Sequence, residues 1–281
     1  MDKKEIKHIL QGTVDMHLHS SPDIILRKMN DIELAQAAFE ADMSGIVLKC
    51  HAGLTADRAA LVRKIVPGLH VYGGLVLNRM AGGLNPDAVE TALKMGAKEI
   101  WMPTIHAENH LKGNKKDISR AIRIADDDGH FAAPLYPILE MIGKADAILG
   151  TGHISVAETV RLVALARKMG VKKILVTHPE WELTLMPIDI QKSLAAQGVF
   201  FERCFYAINS AQAFPIEEMA QQIREVGPES TVISTDFGQP DNDYPVEGLY
   251  RYVTGLLAQG LTQDCIDQIT RRNPKALLDI S

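Results

Sequence analysis

The residues that could do chemistry in this chain are histidines and aspartates at the ends of apolar runs. The densest group is Val14-Asp15-Met16-His17-Leu18-His19. In an extended strand, side chains at i, i+2 and i+4 share a face, so the spacing predicts Asp15, His17 and His19 side by side. Two imidazoles on one face offer nitrogen ligands to a borderline-soft divalent cation such as zinc. A lone His-x-His is a weak signal, because surface pairs of that kind need no metal. The same grammar recurs, however, at Lys49-Cys50-His51, Thr151-Gly152-His153, Val176-Thr177-His178-Pro179 and Ser234-Thr235-Asp236.

Each of these has a plainer reading beside the chemical one. His17 and His19 could be buried strand histidines, and His153, after the pliable Gly150-Thr151-Gly152, could be a loop residue steadying its turn. Pro179 is expected to keep His178 extended. Asp236 could close an Asx turn or cap a helix, but the other ligands need a carboxylate beside them. Lys49 and His51 share a face of the second apolar run. Lys49 could clamp an anionic substrate, become carboxylated and bridge metals, or pair with Asp15. His106 and His110 could touch substrate or a second metal, or be surface loop residues. Arg27, Arg79 and Arg203 are candidate anion clamps. Asp23, Asn78, Arg79 and His106 are the candidates for substrate binding, since their loops should form the pocket. His130 reads as a helix-end or surface residue, His8 and His70 as structural, and Met95, Met169 and Met219 as packing.

Positioning these groups takes a regular frame. Apolar β-like runs near 13–19, 45–50, 69–77, 98–102, 145–150, 173–177, 199–204 and 231–235 alternate with helical patterns near 31–43, 56–66, 86–95, 156–169, 187–197, 216–226 and 246–258, and a last one near 263–272. Asn85-Pro86 and Ser155-x-x-Glu158 mark helix starts, and Gly96, Gly170, Gly198 and Gly227 mark helix ends. About eight strands alternating with helices predicts a (β/α)8 barrel. No Gly-x-Gly-x-x-Gly follows a strand, which speaks against an open dinucleotide-binding sheet. The candidate ligands end strands 1, 2, 5, 6 and 8, and a barrel would bring those ends to one mouth. Residues 103–144 read as a long insertion after strand 4, with helices expected near 117–127 and 137–142. The whole chain, 1–281, reads as a single domain.

Composition narrows the function classes. The 281 residues are 46% hydrophobic and 23% charged, with a formal net charge of −5, so there is no basic field for nucleic acid. Three scattered cysteines suggest a reducing compartment rather than a disulfide framework. No apolar stretch approaches membrane-spanning length, and Met1-Asp2-Lys3-Lys4-Glu5 is not followed by a signal-peptide core. The expected setting is cytoplasmic, with a small-molecule substrate, neither nucleic acid nor membrane as partner, and homo-oligomerisation open.

Together, Asp15-x-His17-x-His19, His153, His178 and Asp236 resemble the metal-binding pattern of the amidohydrolase superfamily. Thr270-Arg271-Arg272-Asn273-Pro274-Lys275-Ala276-Leu277-Leu278 is similar to the ending of those barrels. The resemblance implies a distorted (β/α)8 barrel holding one or two divalent ions, usually zinc, and a metal-bound water that cleaves an amide, cyclic amide, lactone or related ester. It also implies that Asp236 binds metal and moves protons, while His178 ligates a second ion or polarises the substrate. The chain departs from that pattern where strand 4 ends Ile100-Trp101-Met102-Pro103-Thr104, with neither the lysine nor the glutamate that dinuclear members carry. Lys49 or His51 could substitute, or a single ion could suffice. Decarboxylation or hydration on the same barrel, a phosphoesterase of the polymerase and histidinol phosphatase type, and a non-catalytic ligand-binding barrel are the alternatives. The phosphoesterases end in Asp-x-His, where this chain has Asp236-Phe237-Gly238.

Overall fold

Eight short strands stand side by side in chain order, each parallel to the next: β1 Val14–Leu18, β2 Gly45–Leu48, β3 His70–Val76, β4 Glu99–Trp101, β5 Ile148–Gly150, β6 Lys173–Thr177, β7 Phe200–Cys204 and β8 Thr231–Ser234. The computed structural model describes residues 3–126 and 128–280. The ring closes just past β8. There Asp236 N donates to His17 O at 2.9 Å, His19 N donates to Phe237 O at 2.8 Å, and Leu18 bridges Phe237 in parallel. With a helix between most consecutive strands, this is a (β/α)8 barrel.

The helices begin where local chemistry starts them. Ser155 and Glu158 form the expected capping box ahead of Val156–Lys168, and Asn30 with Glu33 forms another ahead of Asp31–Glu40. Inside the ring, Val14, Met16, Val47, Val76, Trp101, Ile148, Leu175 and Val232 make an apolar fill, joined by Leu277 and Leu278 of the last helix, Asn273–Leu278. Two larger apolar layers lie between strands and helices. No helix among the described residues is long and apolar enough to cross a membrane.

Two expectations about local structure change. The segment after β4 has no helix near 117–127 (Asp127 itself lies outside the described residues). It forms a shorter helix, Glu108–Gly113, then turns and isolated bridges such as Ala107 with Ile122. Its last part, Leu135–Lys144, is an ordinary barrel helix whose Ile138, Leu139 and Ile142 pack with Val89 and Ala92. The irregular insertion is therefore confined to roughly the first three quarters of 103–144. The second change is in β1. Asp15 pairs with Ile46 but Leu18 with Leu48, so β1 carries an extra residue. A bulge of this kind breaks the two-residue period. Asp15 consequently leaves the face of His17 and His19 and lies among Leu18, Leu34, Ala38 and Ile46. Its carboxylate accepts Thr235 Oγ1 at 2.7 Å and His17 N at 3.1 Å, tying β1 to the end of β8.

Candidate metal centre

His17 is the best-braced residue at the mouth. Its Nδ1 lies 3.0 Å from Glu202 Oε2, and Ser234 Oγ donates to the other oxygen of Glu202 at 3.0 Å. A carboxylate accepts only, so Nδ1 carries a proton; with a cation at the mouth the lone pair of the neutral ring sits on Nε2, and in the metal-free protein Nε2–H faces Asp236. That Nε2 is 3.0 Å from Asp236 Oδ1 and 2.9 Å from Lys49 Nζ. His19 Nε2 is also 3.0 Å from Asp236 Oδ1, and His178 Nε2 is 3.7 Å from Asp236 Oδ2. All of these side chains are buried.

The donor set fits a divalent cation. Nitrogen and oxygen atoms 3.0 Å apart match ligands each about 2.1 Å from one shared ion. His17, His19 and Asp236 present such atoms within 4.8 Å of one another, and His17, His178 and Cys204 form a second overlapping group. A close-packed cluster of lone pairs and carboxylate oxygens is otherwise costly to bury.

Electrostatics separate the members. Burial raises the Asp236 carboxyl, but the charge of His17 and hydrogen bonds from His17 and His19 outweigh it and hold Asp236 well below the usual range. Burial lowers His17, yet Asp236 and Glu202 leave it raised. Burial and the Arg27 charge lower His19 to about 4, against its bond to Asp236. Burial and neighbouring positive groups hold His51, His153 and His178 well below the ordinary value. Burial lowers Lys49, although four acidic groups pull the other way.

His178 and Asp236 both sit in the left-handed region, with φ of +55° and +56°. His178 is thus not held extended by Pro179. The chain turns sharply out of β6, and the His178 carbonyl accepts Thr184 Oγ1 at 2.5 Å and Trp181 N at 3.1 Å. Non-glycine residues in that region cluster at functional sites because the surroundings must hold them there. Gly238 shows how tightly Asp236 is held. A Cβ there would lie 1.8 Å from the His19 carbonyl oxygen, so only glycine lets the loop after β8 lie against β1.

Above the cluster is a cavity of about 160 Å³ whose wall includes Lys49, His51, His110 and His153, with Ile105, Trp181, Tyr206 and Gln239 also lining it. Lys49 meets His17 there, not Asp15. His51 Nδ1 is 2.9 Å from Thr104 Oγ1, and its ring centroid lies 4.8 Å from that of His19. His153 is engaged by His110, their Nδ1 atoms 3.0 Å apart.

The four candidate substrate contacts do not line this cavity. Asn78 is a buried brace: its amide reaches His51 O and Thr104 Oγ1, while its oxygen accepts Thr104 N and His106 N. Arg79 is exposed on the short turn Arg79–Ala81. His106 is buried away from the cavity. Asp23 accepts Arg27 Nε at 2.8 Å, and Arg27 in turn donates to His19 Nδ1 at 3.2 Å. Arg203 is no anion clamp either. It faces outward to a buried pair with Glu180 and to Gln191 and Gln222.

Sequence reasoning passed over Glu202, Glu99, Trp181, Tyr206 and Gln239. Two of them left a signal. Glu202 follows Phe200-Phe201, and Glu99 precedes Ile100-Trp101, so each puts a charge in a strand that must be buried on both sides. Glu99 has both carboxylate oxygens buried without a hydrogen bond, and burial and Glu202 raise its pKa well above the ordinary value, against Lys49.

The comparisons with known proteins agree with this architecture. Residues 12–202 match a family of unknown function, DUF6282. The chain belongs to that family. A search of curated proteins gives no match. Among solved structures, the chain is similar to an amidohydrolase from Pseudomonas aeruginosa (13% identity, TM-score 0.65, covering 99% of this chain and 98% of that one). It is also similar to dipeptidase AC, a metallopeptidase (9%, 0.61, 96% and 98%). A third is a dihydroxybenzoic acid decarboxylase from Polaromonas with bound manganese and an inhibitor (12%, 0.62, 96% and 97%). At these identities the likeness is one of fold. This DUF6282 member shares the barrel and, independently, carries its own histidine and aspartate cluster at the mouth.

Proposed function

We propose that this protein is a metal-dependent hydrolase of the amidohydrolase type, acting on an amide, cyclic amide, lactone or related ester of a small molecule. The observation that carries the reading is the meeting of His17 Nε2 and His19 Nε2 on one oxygen of Asp236, with His178 beside the other. His17, Asp236 and His178 would hold the ion directly, and His19 would join them through Nε2 once its Nδ1, which here accepts from Arg27, takes the ring proton; zinc suits this nitrogen-rich set. When bound, a divalent cation supplies Lewis acidity and makes a water acidic enough to lose its proton near neutrality. The chain does the rest. Glu202 fixes the His17 tautomer. Asp236 Oδ2, which lies 3.7 Å from His178, takes the proton from the attacking water and returns it to the leaving group. Lys49 sets an amine in the wall beside His17, and the strained backbone at His178 and Asp236 keeps both side chains aimed inward. The small cavity limits the reacting part of the substrate.

A second reading is decarboxylation. What favours it is the lack of a ligand at the end of β4 together with Lys49 Nζ in the cavity wall, where it can meet a substrate carboxylate. The test is elemental analysis followed by a panel of amides, lactones, phosphoesters and aromatic carboxylic acids on the metal-loaded protein. The hydrolase reading expects about one equivalent or more of a transition metal and turnover of an amide or lactone. Less than a tenth of an equivalent after reconstitution removes it, and turnover confined to phosphoesters or to carbon dioxide release replaces it.

A further inference from the structure

Among the cavity histidines whose Nδ1 is tied from behind, His17, His19 and His153 have partners of three different kinds. Behind His17 is an acceptor, Glu202. Behind His19 is a donor, Arg27. Behind His153 is a second imidazole, His110, with the two Nδ1 atoms 3.0 Å apart. One proton must lie between those two atoms, so one ring donates and the other accepts.

His110 belongs to the helix Glu108–Gly113, which the irregular segment after β4 adds to the barrel. That helix grips the His153 turn a second time. Asn109 Nδ2 donates to His153 O at 3.2 Å and to Leu183 O at 2.6 Å. Trp181 packs on both rings, with centroids 4.9 Å from His153 and 5.7 Å from His110. The two imidazoles stack at 5.0 Å and 23°. So many contacts on one loop histidine are those of a built mount.

The proton direction follows from the surroundings. His153 is buried and faces the positive field of Lys49. A lone pair suits that field better than an N–H. His110 is only partly buried, so its own Nε2–H has access to water. We propose that His110 is a positioning residue: by accepting the Nδ1–H of His153, it fixes the tautomer that turns the His153 Nε2 lone pair into the cavity as a ligand for a divalent cation. The inference rests on the metal reading above for its ligand role and on the hydrogen bond alone for the tautomer. It gives the segment after β4 a task that strand 4 itself, lacking a lysine or glutamate at its end, does not perform.

Two substitutions test it. In H110N the amide oxygen can stand where Nδ1 stood and still accept. In H110L nothing accepts. Zinc affinity is read by competition with a chromophoric chelator, alongside the melting temperature of each metal-free protein. Loss of a partner behind a ligating histidine commonly weakens metal binding about 10- to 100-fold, and H110L is expected in that range with H110N within about threefold of wild type. Nitrogen NMR on metal-free wild-type protein should give His153 a pyrrole-like Nδ1 and a pyridine-like Nε2. Wild-type affinity in H110L overturns the proposal, as does an H110N defect as large as that of H110L. The reversed tautomer overturns it as well. Wild-type protein that takes up no zinc, yet shows the expected nitrogen pattern, defeats the hydrolase reading while upholding the His110–His153 tautomer.

Discussion

The cavity has two walls built on opposite principles. On the β1–β8 side every histidine nitrogen aimed inward has a carboxylate oxygen near it, and Asp236 and Glu202 leave His17 with a raised pKa. On the β2–β5 side His51, His110 and His153 have a hydroxyl or another imidazole for company and no acid. Burial holds all three below the ordinary histidine value, His110 at about 4. The first wall can neutralise a cation. The second offers lone pairs and N–H groups of no net charge, suited to touching a polarised but neutral substrate or completing a coordination sphere. The acidic wall is also the one made by strands and their first residues beyond, whereas His110 comes from an irregular segment. Charge compensation, the most demanding requirement, is placed on the most rigid scaffold.

The sharpest way to break this comparison is at its acidic centre. Asp236→Asn keeps the shape and one acceptor oxygen but loses charge and basicity. On whichever substrate the panel identifies, turnover should fall at least about a hundredfold, as loss of a general base typically does. Metal analysis should show weaker retention in a protein that still folds. Near wild-type turnover would reduce Asp236 to a turn former and remove the mechanism with it. Glu202→Gln comes next. It leaves an acceptor behind His17 but removes the charge that favours Nδ1–H, and metal affinity should drop about tenfold or more by chelator competition. If the affinity is unchanged, Glu202 is a structural acid only.

The frame of this site was legible in the sequence, and its supports were not. Strand count, the capping box at Ser155 and the convergence of His17, His19, His178 and Asp236 all follow from short-range periodicity and from the rule that barrel strand ends share a mouth. Asp15 escaped because a single extra residue in β1 reverses which face a side chain takes, and no local pattern announces a bulge. From sequence, Asn78, Arg79 and His106 read as pocket residues because their loops follow strands at the right end. Which way such a loop folds depends on long-range bonds, such as those of Asn78 to Thr104 and His106. Glu202 lies 185 positions from its partner His17. Its location in an apolar strand said only that some partner must exist.

Acid should expose the difference between the walls in the metal-free protein. The folded pKa of His19 is lowered to about 4, and His51, His110, His153 and His178 move in the same direction. Below about pH 6.5 the unfolded chain takes up protons that these rings refuse. Stability is therefore fully present above that pH and is lost as the pH falls toward 4, with a slope of up to about 1.4 kcal/mol per pH unit for each ring. Asp15, raised by burial to about 7, Glu99 and His17 act oppositely, since each binds a proton in the fold that the unfolded chain has released. Five rings against three groups leave a net loss. The urea midpoint of the metal-free protein should be lower at pH 5 than at pH 7, and an equal or higher value would mean that the acids dominate.

The smallest expected effect tests the neutral wall directly. His51 touches the chemistry only through its position: Nδ1 meets Thr104 Oγ1, and the ring leans on His19. If the acidic wall carries the ion, His51→Asn should change zinc affinity by less than about threefold, well short of the loss expected when a ligand or its carboxylate support is altered. The asparagine can keep an oxygen or nitrogen near Thr104, so stability at pH 7 should shift by no more than about 1 kcal/mol, the scale of one hydrogen bond. The acid limb should move the other way, because the variant has one ring fewer that the unfolded chain can protonate. Its stability loss between pH 7 and pH 5 should be shallower than that of the parent. A fall in zinc affinity comparable to that of Glu202→Gln would show instead that His51 is a ligand. The ion would then draw on the second wall through His51 as well as through His153.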